Sequence, residues 1–387
     1  MIDARLPIVI PANIAAFAAD VPPGMFSDAF RVACERFDRY IGAVAAELAA
    51  TLDLPVGSPL TPDSLISQRG WAADGGLALR WLLETLATYG LAETSDGHWT
   101  LAVRSTPARP AATLREEAVL AAPQTAPTFR LFDLCAGALG GVLRGEARGE
   151  DVLFSPSTLG LWFEYFSNDN PHYALNNTLA ATALSRAVRP RSRLLEVGGG
   201  GGSAATAALA ALVEAGKPPA SYTFTELHPA FLRRGTRAVQ AAAPAGCIVT
   251  TMRYDIDGAP AAQSMMDRDL DAILAVNTVH LGRDLVSVLG HLRTLLRPGG
   301  ALVLGELVRP QAAGGVHIEL PFTLLEAYRK APLIPNIRPR PGFLAAEGWQ
   351  RALMAAGFSR VNLLPTALST CVQLYPGFYC GAITAIA

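Results

Sequence analysis

RLLEVGGGGGS, residues 193–203, decides how this chain is read. Leu194 and Leu195 belong to a short apolar run of the kind that forms a buried parallel strand, and Glu196 ends it. Five consecutive glycines, Gly198 to Gly202, lead into an alanine-rich stretch, 204–215, that reads as a helix stopped by Gly216. Glycine lets the backbone turn tightly and approach a ligand with no Cβ in the way. The free N–H groups at the start of the following helix favour an anion or a polar ligand edge. Strand, glycine turn and helix together make a nucleotide-type loop. It is not a Walker loop, because no Lys-Ser or Lys-Thr follows the last glycine. A flexible polyglycine linker would need polar flanks, and a strand and a helix stand there instead.

Downstream of the motif, strand-like and helix-like segments alternate, which predicts a doubly wound α/β fold. Strands are expected over 194–197, 222–225, 248–254, 272–276, 301–304, 360–365 and 378–386, the last two pairing as a closing unit. In such sheets, ligands sit at the carboxyl ends of the strands. Glu226 ends the second strand, where a carboxylate accepts from both hydroxyls of a ribose. Helix capping before Pro229 is its alternative role. Asp255 and Ile256 close the third strand, where an acid and an apolar side chain suit the amino group and face of an adenine; a plain loop aspartate fits as well. Asn277 ends the fourth strand, with His280 three residues on, and Glu306 ends the fifth.

Neighbouring strands lie ~4.8 Å apart, so the ends of the fourth and fifth should bring the His280 imidazole to the Glu306 carboxylate. A carboxylate on one ring nitrogen fixes the tautomer and raises the basicity of the other, making His280 a candidate general base. His172, His228, His317, Glu319 and Glu326 have no spacing that argues for a metal.

Upstream, residues 1–110 read as a mainly helical, winged-helix-like unit. An amphipathic helix at 26–52 carries Phe30, Phe37, Ile41, Val44 and Leu48 on one face, and Thr61 opens a second helix. A third helix ends at Gly90, and a hairpin turns at Ser95-Asp96-Gly97. This outline serves DNA reading in regulators and dimerisation in small-molecule enzymes. The third helix carries one basic residue, Arg80, which disfavours DNA. Residues 111–128, rich in Pro, Ala and Thr, read as a linker, and 129–187 as a helical lid over the motif. In that lid Tyr173 and Asn176 are candidates for contact with substrate or cofactor. Residues 188–387 form the Rossmann-like unit.

With 51% hydrophobic and 17% charged residues among 387, the chain has material for large cores. Its formal charge of −1, without a basic run, argues against a nucleic-acid partner. No apolar run approaches the ~20 residues a bilayer span needs, and no membrane partner is expected. Five scattered cysteines without CxxC spacing fit a reducing cytoplasm. The start, MIDARLPIVIP, lacks a basic region before its apolar run, so no secretory leader is expected.

The ordered series LLEVGGGGGS, YTFTELHPAF, YDID, NTVHLGRDL, LLRPGGALVLGE and FLAAEGWQRALMAAGFSRV resembles class I S-adenosylmethionine-dependent methyltransferases. In detail it is similar to the methyltransferase domains of polyketide synthases, and GALGGVLRGEARGEDVLFSP is similar to the lid region before those domains. The resemblance implies a seven-stranded methyltransferase sheet and S-adenosyl-L-methionine as cofactor. It implies that Glu196, Gly198, Gly200 and Gly202 form the cofactor loop, and that Glu226 is the ribose ligand. Asp255 with Ile256 become the adenine contacts, Asn277 the residue beside the methionine moiety, and His280 with Glu306 the catalytic pair. The family more often has Asp where Glu226 stands.

The N-terminal unit resembles the winged-helix dimerisation domain of small-molecule O-methyltransferases, which implies a homodimer. With such a front on a free-standing chain, the expected reaction is O-methylation of a hydroxyl or carboxyl group on a polyketide-like metabolite, free or tethered to a carrier. C-methylation of an acidic carbon is the alternative. A non-catalytic winged-helix regulator and an NAD-dependent dehydrogenase are disfavoured by the intact His–Glu pair and the loop spacing.

Overall fold

A computed structural model describes residues 27–102, 109–264, 269–310, 316–365, 368, 375–377 and 379–387. The first helix, Asp28–Thr51, is capped by Ser27, whose hydroxyl accepts from the Phe30 N–H, and it buries Phe37, Tyr40, Ile41, Val44 and Leu48. Thr61 caps the helix Pro62–Arg69 through a reciprocal pair of bonds with Ser64, the arrangement that satisfies two orphan donors at once. After the helix Gly76–Thr88, β2 (Ala92–Ser95) and β3 (His98–Leu101) form the expected hairpin. Its turn residues, Asp96 and Gly97, have φ of 50° and 75°. The short β1 (Pro59–Leu60) adds to the hairpin in the order β1-β3-β2. Arg80 lies 5.7 Å over the Trp99 ring, so the one basic residue of the third helix is stacked on the hairpin.

The linker expected over 111–128 is instead structured. Residues Ala111–Ala121 form a helix against Asp28–Thr51, burying Ala111 and Ala118, and the Glu47 carboxylate accepts from the Ala111 N–H at 2.8 Å. Its Ala, Leu, Glu and Arg residues favour helix. The prolines fall before the helix or at the first positions of the next turns, where a missing N–H removes no bond. Composition suggested a linker because it does not register where in a turn each proline stands.

The main sheet contains β4 (Arg193–Val197), β5 (Ser221–Glu226), β6 (Ile248–Arg253), β7 (Leu270–Val276), β8 (Leu296–Leu307), β9 (Ser359–Leu364) and β10 (Cys380–Ile386). Their order is β6-β5-β4-β7-β8-β10-β9, with the first five parallel. β10 runs antiparallel to both neighbours and enters between β8 and β9, so the last two strands pair with each other as expected, with β10 on the inside against β8 and β9 at the edge. The order reverses at β4, which places the glycine loop at the switch point where such sheets bind ligands. The central strands are near-continuous apolar runs because helices cover both faces. One cover, the helix Pro171–Ala187, packs on β7, β8 and β10 and brings Tyr173 and Asn176 down onto the sheet. Among the described residues no helix is long and apolar enough to cross a membrane.

Candidate active site

The glycine run has two separate causes. Gly198, Gly200 and Gly202 adopt φ of 65°, 57° and 89°, a region other residues enter at a cost. Gly199 is excluded from larger residues by packing, since a Cβ there would lie 2.1 Å from the Phe224 ring. Gly200 faces open space, with nothing within 4 Å of its would-be Cβ. The loop is pinned from three sides. The Gly199 N–H donates to the Thr225 carbonyl at 2.9 Å, the Gly200 N–H to Glu226 Oε2 at 2.9 Å, and the Thr278 hydroxyl to the Gly198 carbonyl at 3.0 Å.

Glu226, at the end of β5, also accepts at Oε1 from the N–H groups of Leu227 and His228. His228 stands at the N-cap position of the helix Pro229–Ala242 without a side-chain cap bond, so Glu226 lies two residues before the position considered for it. Glu196 differs from its expected place in the loop. Its carboxyl is fully buried and accepts from the Tyr222 hydroxyl at 2.9 Å instead of bonding any loop N–H, and burial pushes its pKa up to about 8. Its alternation along β4 puts it on the face of Tyr222 and Phe224, beneath the loop. Asp255 follows β6 and accepts at Oδ1 from the Asp257 N–H, while Gln263 brackets its backbone; Ile256 is half-buried beside it.

Asn277 is a junction. Its φ of 51° turns the chain out of β7, and its N–H donates to the Gly305 carbonyl at 2.7 Å. Its side-chain oxygen accepts from the Leu307 N–H at 3.2 Å, and its amide nitrogen donates to the Tyr173 hydroxyl at 3.0 Å. Burial raises the Tyr173 pKa, which keeps the phenol protonated. One turn along the same helix, Asn176 is fully buried, with its side-chain amide toward the Tyr173 hydroxyl.

His280 lies in the single turn Val279–Leu281, with Nδ1 2.8 Å from Glu306 Oε2. Both side chains are buried, at 2% and 0% exposure. The contact assigns the ring proton to Nδ1, leaving Nε2 as the basic nitrogen. Nε2 and Glu306 Oε1 have no protein partner among the described residues. The ring packs edge-on to Phe343 at 4.8 Å. Beyond the Asn277 junction, a narrow, mostly apolar cavity is lined by Phe30, Phe37, Tyr165, Tyr173 and Leu307, among others.

The remaining candidates are committed elsewhere. Burial holds His317 below the usual histidine range and brings His172 down to about 4, so both are neutral. Glu319 pairs with Arg309 and Tyr328, and Glu326 with Lys330 at 2.6 Å. Among the described residues no cluster of three or more His, Cys, Asp or Glu side chains could hold a metal ion. Sequence reasoning missed Thr278 and Phe224, although both stand inside quoted motifs. It also missed Arg338, which no pattern marks.

Residues 195–302 match the methyltransferase domain family. The highly reducing polyketide synthase PKS2 of Leptosphaeria maculans is 28% identical over 233 residues, 59% of this chain, and the chain spans 9% of that protein's length. Two solved structures share nearly the whole chain. The CurJ carbon methyltransferase has a TM-score of 0.78 at 23% identity, with 97% of each chain covered. The DszA carbon methyltransferase has a TM-score of 0.74 at 23% identity, covering 97% of this chain and 96% of that one. The chain thus carries a match to the methyltransferase domain family at 195–302, within a fold shared along its length with those two carbon methyltransferases.

Proposed function

We propose that the protein methylates an acidic carbon, the position between two carbonyl groups of a polyketide-like substrate, using S-adenosylmethionine. The observation that carries the reading is a buried base, His280 Nε2, without a partner among the described residues, together with a buried phenol, Tyr173, that accepts from Asn277 and keeps its own proton to donate. A carbon acid needs both: a base for its proton and a donor for the oxygen on which enolate charge develops. The kinship in fold with two carbon methyltransferases supports carbon as acceptor, so the O-methylation expected from the winged-helix-like front becomes the second reading.

The residues fit the methyl donor. Gly200 leaves open space where a Cβ would stand, and Glu226 offers a carboxylate beside it. Asp255 and Ile256 follow at the next strand end, which suits an adenine. Bound there, S-adenosylmethionine would supply a methyl group already activated by its sulfonium. The chain's own task is to hold an acceptor in line, exclude water and take one proton. Glu306 fixes the His280 tautomer and stabilises the imidazolium formed when Nε2 takes that proton.

The test is turnover of a β-ketoacyl thioester and of a hydroxyl-bearing analogue with a ¹³C-methyl donor. The carbon shift of the labelled product separates a C–CH₃ from an O–CH₃ group. Methyl on oxygen alone would move the reading to O-methylation, and no transfer to either would overturn it for this substrate class.

A further inference from the structure

Arg338 is a buried cation, 1% exposed, whose charge is offset only at a distance by Asp257 and Asp284, with no direct ion pair among the described residues. It donates instead to three backbone carbonyls of one turn: Nη1 to His280 at 2.9 Å, and Nη2 to Gly282 at 3.0 Å and Arg283 at 3.2 Å. Burial lowers its pKa, the mark of a charge the fold keeps at a cost. A cost of that kind calls for a role, and the three carbonyls belong to the turn that carries the catalytic imidazole.

The segment that holds Arg338 is itself braced. Ile334 and Arg338 exchange backbone bonds, N–H to carbonyl in both directions, at 2.9 and 2.8 Å. Two residues on, Arg340 forms a two-pronged ion pair with Glu84 of the N-terminal helix Gly76–Thr88, both bonds 2.9 Å. Such planar pairs fix orientation as well as distance. Pro339 and Pro341 stiffen the backbone between and after the two arginines. Three residues beyond Arg340, Phe343 packs on the His280 ring. The chain Glu84, Arg340, Arg338, His280 thus joins the N-terminal unit to the candidate base.

We infer that Arg338 is a positioning residue: anchored through Arg340 to Glu84, its guanidinium fixes the backbone of residues 280–283 and with it the placement of the His280 imidazole. Glu306 holds the ring by Nδ1 and Arg338 holds the turn beneath it. The inference rests on His280 being the base of the proposed reaction.

The test compares wild type, Arg338→Met, Arg338→Lys and Glu84→Gln in binding of S-adenosylmethionine, in kcat and KM for the acceptor, and in ¹⁵N spectra of labelled histidine. His280 is assigned in those spectra by its absence from His280→Ala. In Arg338→Met, cofactor affinity and acceptor KM stay within about threefold, while kcat falls roughly 10- to 100-fold, the loss expected for a slightly misplaced base. Arg338→Lys recovers part of kcat, and Glu84→Gln loses roughly two- to tenfold. An unchanged kcat in Arg338→Met overturns the inference, as does a loss shared equally by cofactor binding. If Arg338→Met does not fold, wild-type kcat in both Arg338→Lys and Glu84→Gln overturns it.

The spectra separate this inference from the reaction it rests on. Should the wild type turn over no acceptor, a single Nδ1–H tautomer in wild type that becomes mixed in Arg338→Met still supports the positioning role. An unchanged tautomer rejects it.

Discussion

The Glu226 carboxylate accepts a hydrogen bond from the Gly200 N–H at 2.9 Å, tying the end of β5 to the one glycine of the run 198–202 that faces open space. Its other oxygen is held by two successive backbone N–H groups. The group is thus fixed in orientation before any ligand arrives, which lowers the ordering cost of binding. Glu226→Ala should weaken S-adenosylmethionine binding by roughly 1–3 kcal/mol, a buried charge-assisted pair being lost. At saturating cofactor, kcat should change far less. Calorimetry and steady-state kinetics check this, and a variant that binds the cofactor normally but turns over slowly would remove Glu226 from the cofactor site.

The pair His280–Glu306 predicts the opposite pattern. His280→Ala should keep cofactor affinity and lose roughly 10²- to 10⁴-fold in kcat, the usual worth of a positioned base. Glu306→Gln keeps a hydrogen bond to Nδ1 but removes the charge that stabilises the imidazolium, so an intermediate loss is expected. Turnover of His280→Ala at the wild-type rate across about pH 6 to 9 would show that the proton goes elsewhere.

Two neighbouring glycines should respond differently to alanine. Gly199→Ala drives a methyl group to 2.1 Å from the Phe224 ring, and the ring is itself wedged against Gly235. Overpacking of that kind costs about 1–3 kcal/mol. Gly200→Ala meets no atom and carries only the strain of its φ of 57°, about 1–2 kcal/mol. Urea denaturation should therefore rank Gly199→Ala below Gly200→Ala in stability. Cofactor affinity should rank them the other way, because the open side belongs to Gly200. Equal losses in both assays would mean that the loop repacks around either methyl.

How much of this was legible beforehand depends on the kind of residue. His280 and Glu306 could be paired across 26 positions because parallel strands fix which ends are neighbours. Short apolar runs located the seven strands, although β8 spans Leu296–Leu307 where only 301–304 was expected. The insertion of β10 between β8 and β9 could not be read, since pairing order depends on contacts between strands and not on the pattern within one. Glu196 was assigned to the loop by position, but strand alternation turned its side chain toward Tyr222. Arg338 was invisible for a different reason. Its role lies in carbonyl groups of a turn 55 to 58 positions away, and carbonyls leave no trace in a sequence.

Glu196 also makes the stability of the protein depend on pH in a calculable direction. Desolvation by burial raises its pKa from an ordinary 4.5 to about 8, outweighing the bond from Tyr222. Below about pH 4.5 the group is protonated in folded and unfolded chains alike, and its contribution is fully present. Between 4.5 and about 8 the folded state still holds the proton while the unfolded chain has released it, so stability falls as pH rises through this window. The expected total is on the order of a few kcal/mol. Glu196→Gln keeps an oxygen for the Tyr222 hydroxyl and removes the titration. The variant should therefore gain on wild type as pH increases, with a larger difference in unfolding free energy at pH 8.5 than at pH 5. A difference that is the same at both values would place the Glu196 carboxyl in contact with water and refute its burial against Tyr222.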